Sequence, residues 1–469
     1  MRKVLWVLAA VPLAGCLGLN SVKLPVFDSG SWNAADAARN TVSSSVPIEA
    51  AWWTQLGDPV LDELVSQTLV NSPDLKAAVA RVEQARGQRG MAQATLYPQV
   101  DANAGASRTG LSANTSSGGR APTARTNKLY DAGFDASWEI DIFGFNRHGA
   151  EAARANLSAS RADAEAVKLG LIAEVVRNYV DLRATEQRVQ LAEANSRSQA
   201  ETLRLIEARY RAGDINGLDL AAAQTAQATV AANVPLLNQQ HEALRTALAV
   251  LAGVPPTTFA VSDSAVAMTS LTLPPVPAGL PATLLERRAD VVAAAQRVRA
   301  STALINQAET ALLPSFSLTA STGVASSQLA NLFASGSGVW GLGLAVTQPI
   351  FHAGATLAAI RERKGAEAEV VANYQKTVLV ALQDVDLALN GLTQERVRQG
   401  SLAFAATAGA RNLELSDKLY KAGEVNYLSL LEAQRSSYAS ADAALQSRAS
   451  LTANWVALVK ALGGGYTAP

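Results

Sequence analysis

The spacing of apolar residues along the chain switches between a helical and a strand period, and does so twice. Residues 73–95 and 290–312 read as helices, each stopped by a proline, Pro98 or Pro314. Four alternating segments follow in two pairs. In 99–107, Val100, Ala102, Ala104 and Ala106 alternate with polar neighbours; in 130–142, Tyr130, Ala132, Phe134, Ala136, Trp138, Ile140 and Ile142 do the same. In 315–321 the alternating residues are Phe316, Leu318 and Ala320, and in 339–347 they are Trp340, Leu342, Leu344 and Val346. Period two means strands with one apolar and one polar face. Loops rich in Gly, Ser and Thr, near 108–128 and 323–337, join each pair.

After each pair comes a long helical segment, 146–210 and 354–420. Each is roughly 100 Å long at about 1.5 Å per residue. Apolar residues recur every seven positions: Val175, Leu182, Val189, Leu203 and Tyr210, then Val371, Val378, Val385, Leu392, Leu413 and Tyr420. This is coiled-coil spacing, read here as packing between helices. The chain turns at Gly213 and Gly423 and returns as helices 218–251 and 427–461, which are shorter than the outgoing ones. The missing length is close to that of 73–95 and 290–312. A short helix stacked end-on with a returning one would match one long helix, giving an antiparallel layer with strands at one end and tight turns at the other.

The pattern is doubled because the chain is a repeat. Arg209-Tyr210-Arg211-Ala212-Gly213-Asp214-Ile215-Asn216 recurs as Leu419-Tyr420-Lys421-Ala422-Gly423-Glu424-Val425-Asn426, at an offset of 210 residues. Asp74 to Pro98 pairs with Asp290 to Pro314 at offset 216, and Gly133…Phe143 with Gly341…Phe351 at offset 208. The expected units are residues 51–252 and 282–462, joined by a proline-rich linker, 253–281, with a tail at 463–469.

The N-terminus changes the picture. Met1-Arg2-Lys3 precedes an apolar run from Val4 to Leu13, the form of a secretory leader, 1–15. The run ends Leu13-Ala14-Gly15-Cys16, which resembles the lipobox of bacterial lipoproteins, with lipid attached to Cys16 and a linker over 16–50. Leu17 resembles the outer-membrane sorting pattern. Several acyl chains hold a protein firmly to a bilayer. Cys16 is the only cysteine, so a disulfide within the chain and a cysteine metal cluster are excluded.

That context bears on the strands. They have the length that crosses a bilayer when tilted. Asp131, Asp135, Glu139 and Asp141 fall on the polar face, which suits a watery lumen. Four strands cannot close a barrel, and open edges in lipid would leave backbone groups unpaired. The barrel must be shared between chains. Twelve strands from three chains leave more room for a channel than eight from two, which favours a trimer.

Other chemistries find little support. The 40 basic and 40 acidic residues balance, without the basic excess of a nucleic-acid binder. His148, His241 and His352 are not spaced as metal or catalytic sets. The glycines at 336, 338, 341 and 343 open a strand instead of a helix, so they fail as a phosphate loop. Arg287-Arg288, near a helix start, reads as structural. Three methionines, at 1, 91 and 268, make no copper pathway. No enzyme, metal or cofactor is expected beyond the lipid, and without a nucleotide site the energy for any transport must come from a partner.

The chain resembles the TolC-like outer-membrane factors, specifically the NodT-type lipoprotein branch. The residues carrying the resemblance are Trp52-Trp53…Leu56-Gly57-Asp58-Pro59, Leu96-Tyr97-Pro98, Trp138-Glu139-Ile140-Asp141-Ile142-Phe143-Gly144, Leu284 to Asp290, Leu313 to Thr319, Gln348-Pro349-Ile350-Phe351 and Tyr427 to Arg435. It implies an α+β membrane protein in the bacterial outer membrane: a homotrimer with a twelve-stranded barrel, four strands per chain, continuous with a coiled-coil barrel reaching into the periplasm. It implies a passive exit duct for an inner-membrane RND pump, reached through a periplasmic adapter that meets the turns at Gly213, Asp214, Gly423 and Glu424. By position, the gate falls on Asp219, Tyr420, Leu428, Ser429 and Glu432. Where some members place paired acidic residues this chain has Ser429 and Glu432, and where some place an arginine it has Val425. A channel for a protein-secretion exporter, or a periplasmic coiled-coil scaffold without a barrel, remain the alternatives.

Overall fold

The computed structural model describes residues 20–22, 24–25, 42–43, 49–111, 125–262, 273–274, 276–277 and 287–466. The leader, Cys16 and much of the proline-rich linker lie outside the described residues. In chain order the elements are α1 (Pro59–Asn71), α2 (Pro73–Ala94), β1 (Gln99–Leu111), β2 (Arg125–Glu139), α3 (Phe145–Arg211), α4 (Gly217–Leu251), α5 (Ala289–Thr310), β3 (Ser315–Ser326), β4 (Gly338–Thr347), α6 (Ala355–Ala422) and α7 (Tyr427–Ala461). The repeat is visible as helix, hairpin and long helix pair, twice over.

One helix was not expected. Asp58 caps α1 by accepting the Val60 amide at 3.0 Å, and Pro59 supplies the fixed φ of a first helical residue. The strand limits also differ. The first strand runs on to Leu111 and the third to Ser326, because Gly, Ser and Thr complete the backbone ladder without the apolar contrast that betrays a strand. The second covers 125–139 rather than 130–142. Ile140 still donates to the Phe316 carbonyl at 2.8 Å, but Asp141 turns out of the ladder.

Two compact units can be described. The first, Met1–Pro25, Glu83–Ala159 and Ala294–Asn373, holds an antiparallel sheet of order β1-β2-β3-β4. The β2–β3 pairing joins the two repeats into one sheet, with Phe134 opposite Thr322 and Trp138 opposite Leu318. Pairing keeps each residue on its neighbour's face, so Val100, Ala102, Phe134, Ala136, Leu318, Ala320, Leu342 and Leu344 share one side. That side is open: Trp340 is 82% exposed, Leu342 72% and Phe134 58%. On the other side lie Asp101, Asn103, Asp131, Asp135, Ser317, Thr319 and Ser321. β1 and β4 are edge strands, each with one side unpaired among the described residues of the protomer.

The second unit, Val26–Val82, Ser160–Ala293 and Tyr374–Pro469, carries the main apolar core. Trp52 meets Trp455 edge-on at 5.7 Å, among Val175, Val176, Leu182, Leu248 and Leu458. The end-on stacking expected from helix lengths is present here. Gly253, past the end of α4 at φ 67°, sits so close to the start of α2 that a Cβ would lie 2.6 Å from the Asn71 carbonyl. Gly463, past α7 at φ 90°, meets the Arg287 carbonyl before α5 in the same way, at 3.0 Å. Only glycine combines a left-handed φ with such an approach.

Candidate functional site

Three regions of the chain carry candidate functional side chains: the polar face of the sheet, the turns between the long helices, and the polar links inside the helical unit.

On the sheet, alternate positions of β2 put Asp131, Asp135 and Glu139 on one face. Asp101 lies directly opposite Asp135, and Asn103 Nδ2 donates to the Asp135 carboxylate. Facing carboxylates repel, so a solvated surface suits them better than a dry core. Asp101 joins the carboxylates of this face, the side that its alternation with Val100 and Ala102 in the sequence implies. Gly105 leaves room for Asp131: a Cβ would sit 2.8 Å from Oδ1. Asp141 is the correction. It lies beyond β2, where its carboxylate accepts the Arg147 amide at 2.8 Å and Arg147 Nε at 3.3 Å at the start of α3. A negative charge there favours the helix N-terminus, so Asp141 holds the strand-to-helix join instead of lining a strand face. A cavity of about 650 Å³ opens among the three segments leaving the sheet, lined by Glu139, Asp141, Phe143, Pro314, Gln348 and His352.

The turns are built alike. Gly213 and Gly423 take φ 77° and 79°. Gly213 donates to the Tyr210 carbonyl and Asp214 to that of Arg209; Gly423 and Glu424 repeat this on Tyr420 and Leu419. This closure caps the carbonyl end of each outgoing helix. Asn216 then caps α4, accepting from Leu218 and Asp219, and Asn426 caps α7, accepting the Ser429 amide at 3.0 Å. The Ser429 hydroxyl also donates to Asn426 Oδ1 at 2.9 Å, so its nearest role is to hold the cap. Leu428 and Glu432 are exposed and Asp219 is half-buried.

Tyr420 and Tyr210 occupy equivalent places in the repeat and differ sharply. Tyr210 is 46% exposed, whereas Tyr420 is 4% exposed. Tyr420 packs with Tyr427, Leu430, Leu431, Ile206 and Ala223, with its ring 6.3 Å from that of Tyr427 and the Arg209 guanidinium 5.1 Å away over its face. Both tyrosine hydroxyls are buried without a hydrogen-bond partner. Burial, with the nearby Tyr420 and Asp219, pushes the Tyr427 hydroxyl above its ordinary pKa, against the pull of Arg435. In the sequence, Arg209 is marked only by its place in the repeat and Tyr427 only as the first residue of the Tyr427–Arg435 segment that carries the resemblance.

Inside the helical unit, Asp58 is 2% exposed and accepts a 2.5 Å hydrogen bond from the Tyr179 hydroxyl. Burial first and that bond second push Tyr179 up to about 12. Arg183 stacks on the Tyr179 ring and donates to Glu186 and to the Ser262 carbonyl. Arg288 donates to Asp290, to Asp384 and to the Ala461 carbonyl at the end of α7. Arg188 grips Asp442, and Gln199 donates to Gln434, tying α3 to α7. Arginine's planar fork suits such multiple contacts. His241 lies 3.3 Å from Glu186, and among the described residues no group of three His, Cys, Asp or Glu side chains could hold a metal. No helix among them is long and apolar enough to cross a membrane.

A family model described as "Outer membrane efflux protein" matches residues 64–254 and 280–464. The pyoverdine export outer membrane protein OpmQ of Pseudomonas aeruginosa is 34% identical, covering 99% of this chain and 97% of its own. The cation efflux system protein CusC of Escherichia coli is 30% identical over 93% and 92%. Among solved structures, the CmeC outer membrane channel of Campylobacter jejuni superimposes with a TM-score of 0.90 at 26% identity, covering 95% of this chain and 94% of that one. The two matched segments fall on the two halves of the repeat, and the matched structures are channels whose fold this chain shares over almost its whole length. The chain belongs to the outer membrane efflux protein family and is an outer-membrane efflux channel component.

Proposed function

We propose that three copies of the chain form a passive exit duct, linked through a periplasmic adapter to an inner-membrane RND pump, and that it exports small solutes. The observation carrying this reading is the four-stranded sheet: polar on one face, openly apolar on the other, with the outer side of each edge strand unpaired among the described residues. In lipid such edges must be closed, and β1 of one protomer beside β4 of the next closes them. Twelve strands then surround a lumen faced by Asp101, Asp131, Asp135 and Glu139. The turns at Gly213, Asp214, Gly423 and Glu424 meet the adapter. Glu432, with Asp219 and Leu428 nearby in the turn region, forms the charged part of the periplasmic gate; Tyr420 and Ser429 shape it from behind, as packing and cap. The relatives' names speak for small cargo, since they describe pyoverdine export, cation efflux and toluene efflux.

Planar-bilayer recording on the purified protein tests the reading. The expected result is a conducting pore from a particle of three chains, seen by native mass measurement. A detergent-stable protein that never conducts would defeat it. Lipid attachment at Cys16 predicts that Cys16→Ser abolishes lipid labelling; labelling that persists removes the anchor from that position.

A further inference from the structure

The outer half of the first hairpin is basic without any compensating acid. Residues 102–130 contain Arg108, Arg120, Arg125 and Lys128 and no Asp or Glu. Two of these cations, Arg108 and Lys128, pair directly across β1 and β2. Their register places them on the apolar side of the sheet, in line with Ala106 and Tyr130, Ala104 and Ala132, and Ala102 and Phe134. Both are exposed, and no hydrogen bond or ion pair joins either to a described residue.

Their height on that face is informative. Trp138 lies one step inside the helix-side end of the apolar band, which Phe316 and Val346 close, and its indole donates to the Leu96 carbonyl at 3.1 Å. Lys128 is ten residues away along β2. Ten residues span roughly 33 Å of strand. At the tilt of membrane barrels that is about 25 Å along the bilayer normal, the height of their apolar band. Between the two, this face of β2 shows only Tyr130, Ala132, Phe134 and Ala136. Arg108 and Lys128 therefore stand where the acyl chains end and the headgroups of the outer leaflet begin.

Like charges placed directly opposite in an antiparallel pair repel. An anion between them reverses the sign of that interaction, and a guanidinium beside an ammonium fits a phosphate, one as a fork and the other as a point charge. We propose that Arg108 and Lys128 form a clamp for the phosphate of an outer-leaflet lipid headgroup, seating the first hairpin at a fixed depth. The proposal rests on the sheet facing lipid, as in the exit-duct reading. It explains why the cations lie on the apolar side and not toward the lumen. It also fits the second hairpin, where residues 315–347 carry no charge at all: one clamp per protomer sets the depth of a shared sheet.

The full-length protein is reconstituted in phosphatidylcholine vesicles doped with diphosphoryl lipid A, and retained lipid is counted by native mass spectrometry after extraction. The wild type is expected to keep the doped lipid over phosphatidylcholine. R108Q/K128Q should lose it about thirtyfold, the strength of two basic residues at an anionic surface, while R108K/K128R keeps it. Moving the charges to the opposite face at the same level, as T109K/N127K in the R108Q/K128Q background, should not restore retention. Equal retention by wild type and R108Q/K128Q, or rescue by T109K/N127K, overturns the clamp. Complete displacement by inorganic phosphate assigns the pair to free anions and overturns the lipid assignment. Should the double variant not assemble, R108Q and K128Q alone are read by the same criteria. Conductance in the same vesicles separates the two proposals: a wild type that conducts but keeps no doped lipid defeats the clamp alone, and one that does not conduct defeats the duct.

Discussion

The two hairpins lie side by side in one sheet and descend from the same half-unit, yet their chemistry has parted. The first, 99–139, holds Asp101, Asp131, Asp135 and Glu139 at its inner half and Arg108, Arg120, Arg125 and Lys128 at its outer half. The second, 315–347, holds no charged residue. Both keep the alternation of apolar and small polar residues, and both pair in continuous antiparallel register. The sheet is thus specified by alternation and backbone pairing. Charge is a separate layer, and one hairpin of the pair carries all of it. The turns of the long helices diverge in the same manner, with Tyr210 exposed and Tyr420 buried on an identical glycine closure.

The largest expected effect comes from putting a charge on the face common to both hairpins. Leu342→Arg, in the middle of β4, should cost about 2–4 kcal/mol at the bilayer midplane. Loss of the heat-modifiable, detergent-resistant assembly on gels would show it. Ser321→Arg, on the opposite face, should leave the assembly intact. If both fail alike, the assignment of faces is wrong.

Next is the pair of helix junctions, where the repeats also differ. Arg288 in the second repeat stands where the first has Ser72. Arg288→Ala leaves Asp290 and Asp384 without their cation and the end of α7 without its cap. Because both carboxylates are partly exposed, the expected loss is about 1–2 kcal/mol, read as a fall in the helical melting temperature. Ser72→Ala removes a buried hydroxyl that has no hydrogen-bond partner, and should be neutral or slightly stabilising. The junction also has a pH signature. Burial pushes the Asp290 carboxyl up, but the hydrogen bonds and charge of Arg288 outweigh it and hold the group below its ordinary range. A depressed folded pKa gives stability that is present above the unfolded carboxylate pKa and is lost as pH falls through the folded value. Arg288→Ala should therefore move the onset of acid unfolding upward; an unchanged onset would sever Asp290 from the junction's stability.

Smaller again is the effect expected from the carboxylates on the polar face of the sheet. Asp131→Asn with Asp135→Asn and Glu139→Gln should reduce cation-over-anion permeability several-fold with little change in assembly. Asp141→Asn should not, since that carboxylate serves the start of α3. Smallest is Glu432→Ala, for which the expected outcome is weaker block by divalent cations from the periplasmic side. Identical block would take Glu432 out of the gate.

Much of this was legible in advance because it rests on local pattern. The doubled helix–hairpin–helix unit, the ends of the long helices and the glycine turns follow from periodicity, repeat offsets and the positive φ that Gly213 and Gly423 supply. Helix α1 escaped because its signal is a short capping motif, Asp58-Pro59, without a long apolar stripe. Leu111 and Ser326 escaped as strand ends because backbone pairing continues where side chains lose contrast. Asp141 was misplaced for a related reason: alternation persists for a few residues after the ladder has stopped, and only the Arg147 amide it accepts reveals the change of role.

By itself, then, the sequence determined the long helices and the centres of the four strands, that the unit is doubled, and which residues within the strands share a face, since these depend on spacing along the chain. Only the tertiary structure decided that β2 and β3 join the halves into one sheet, that Arg108 stands opposite Lys128, that Arg288 gathers Asp290, Asp384 and the end of α7, and that Tyr420 is buried where Tyr210 is not. Those depend on partners far along the chain, 96 residues away for Asp384 and 173 for the Ala461 carbonyl at Arg288, or on the register of one strand against another, and no local period records either.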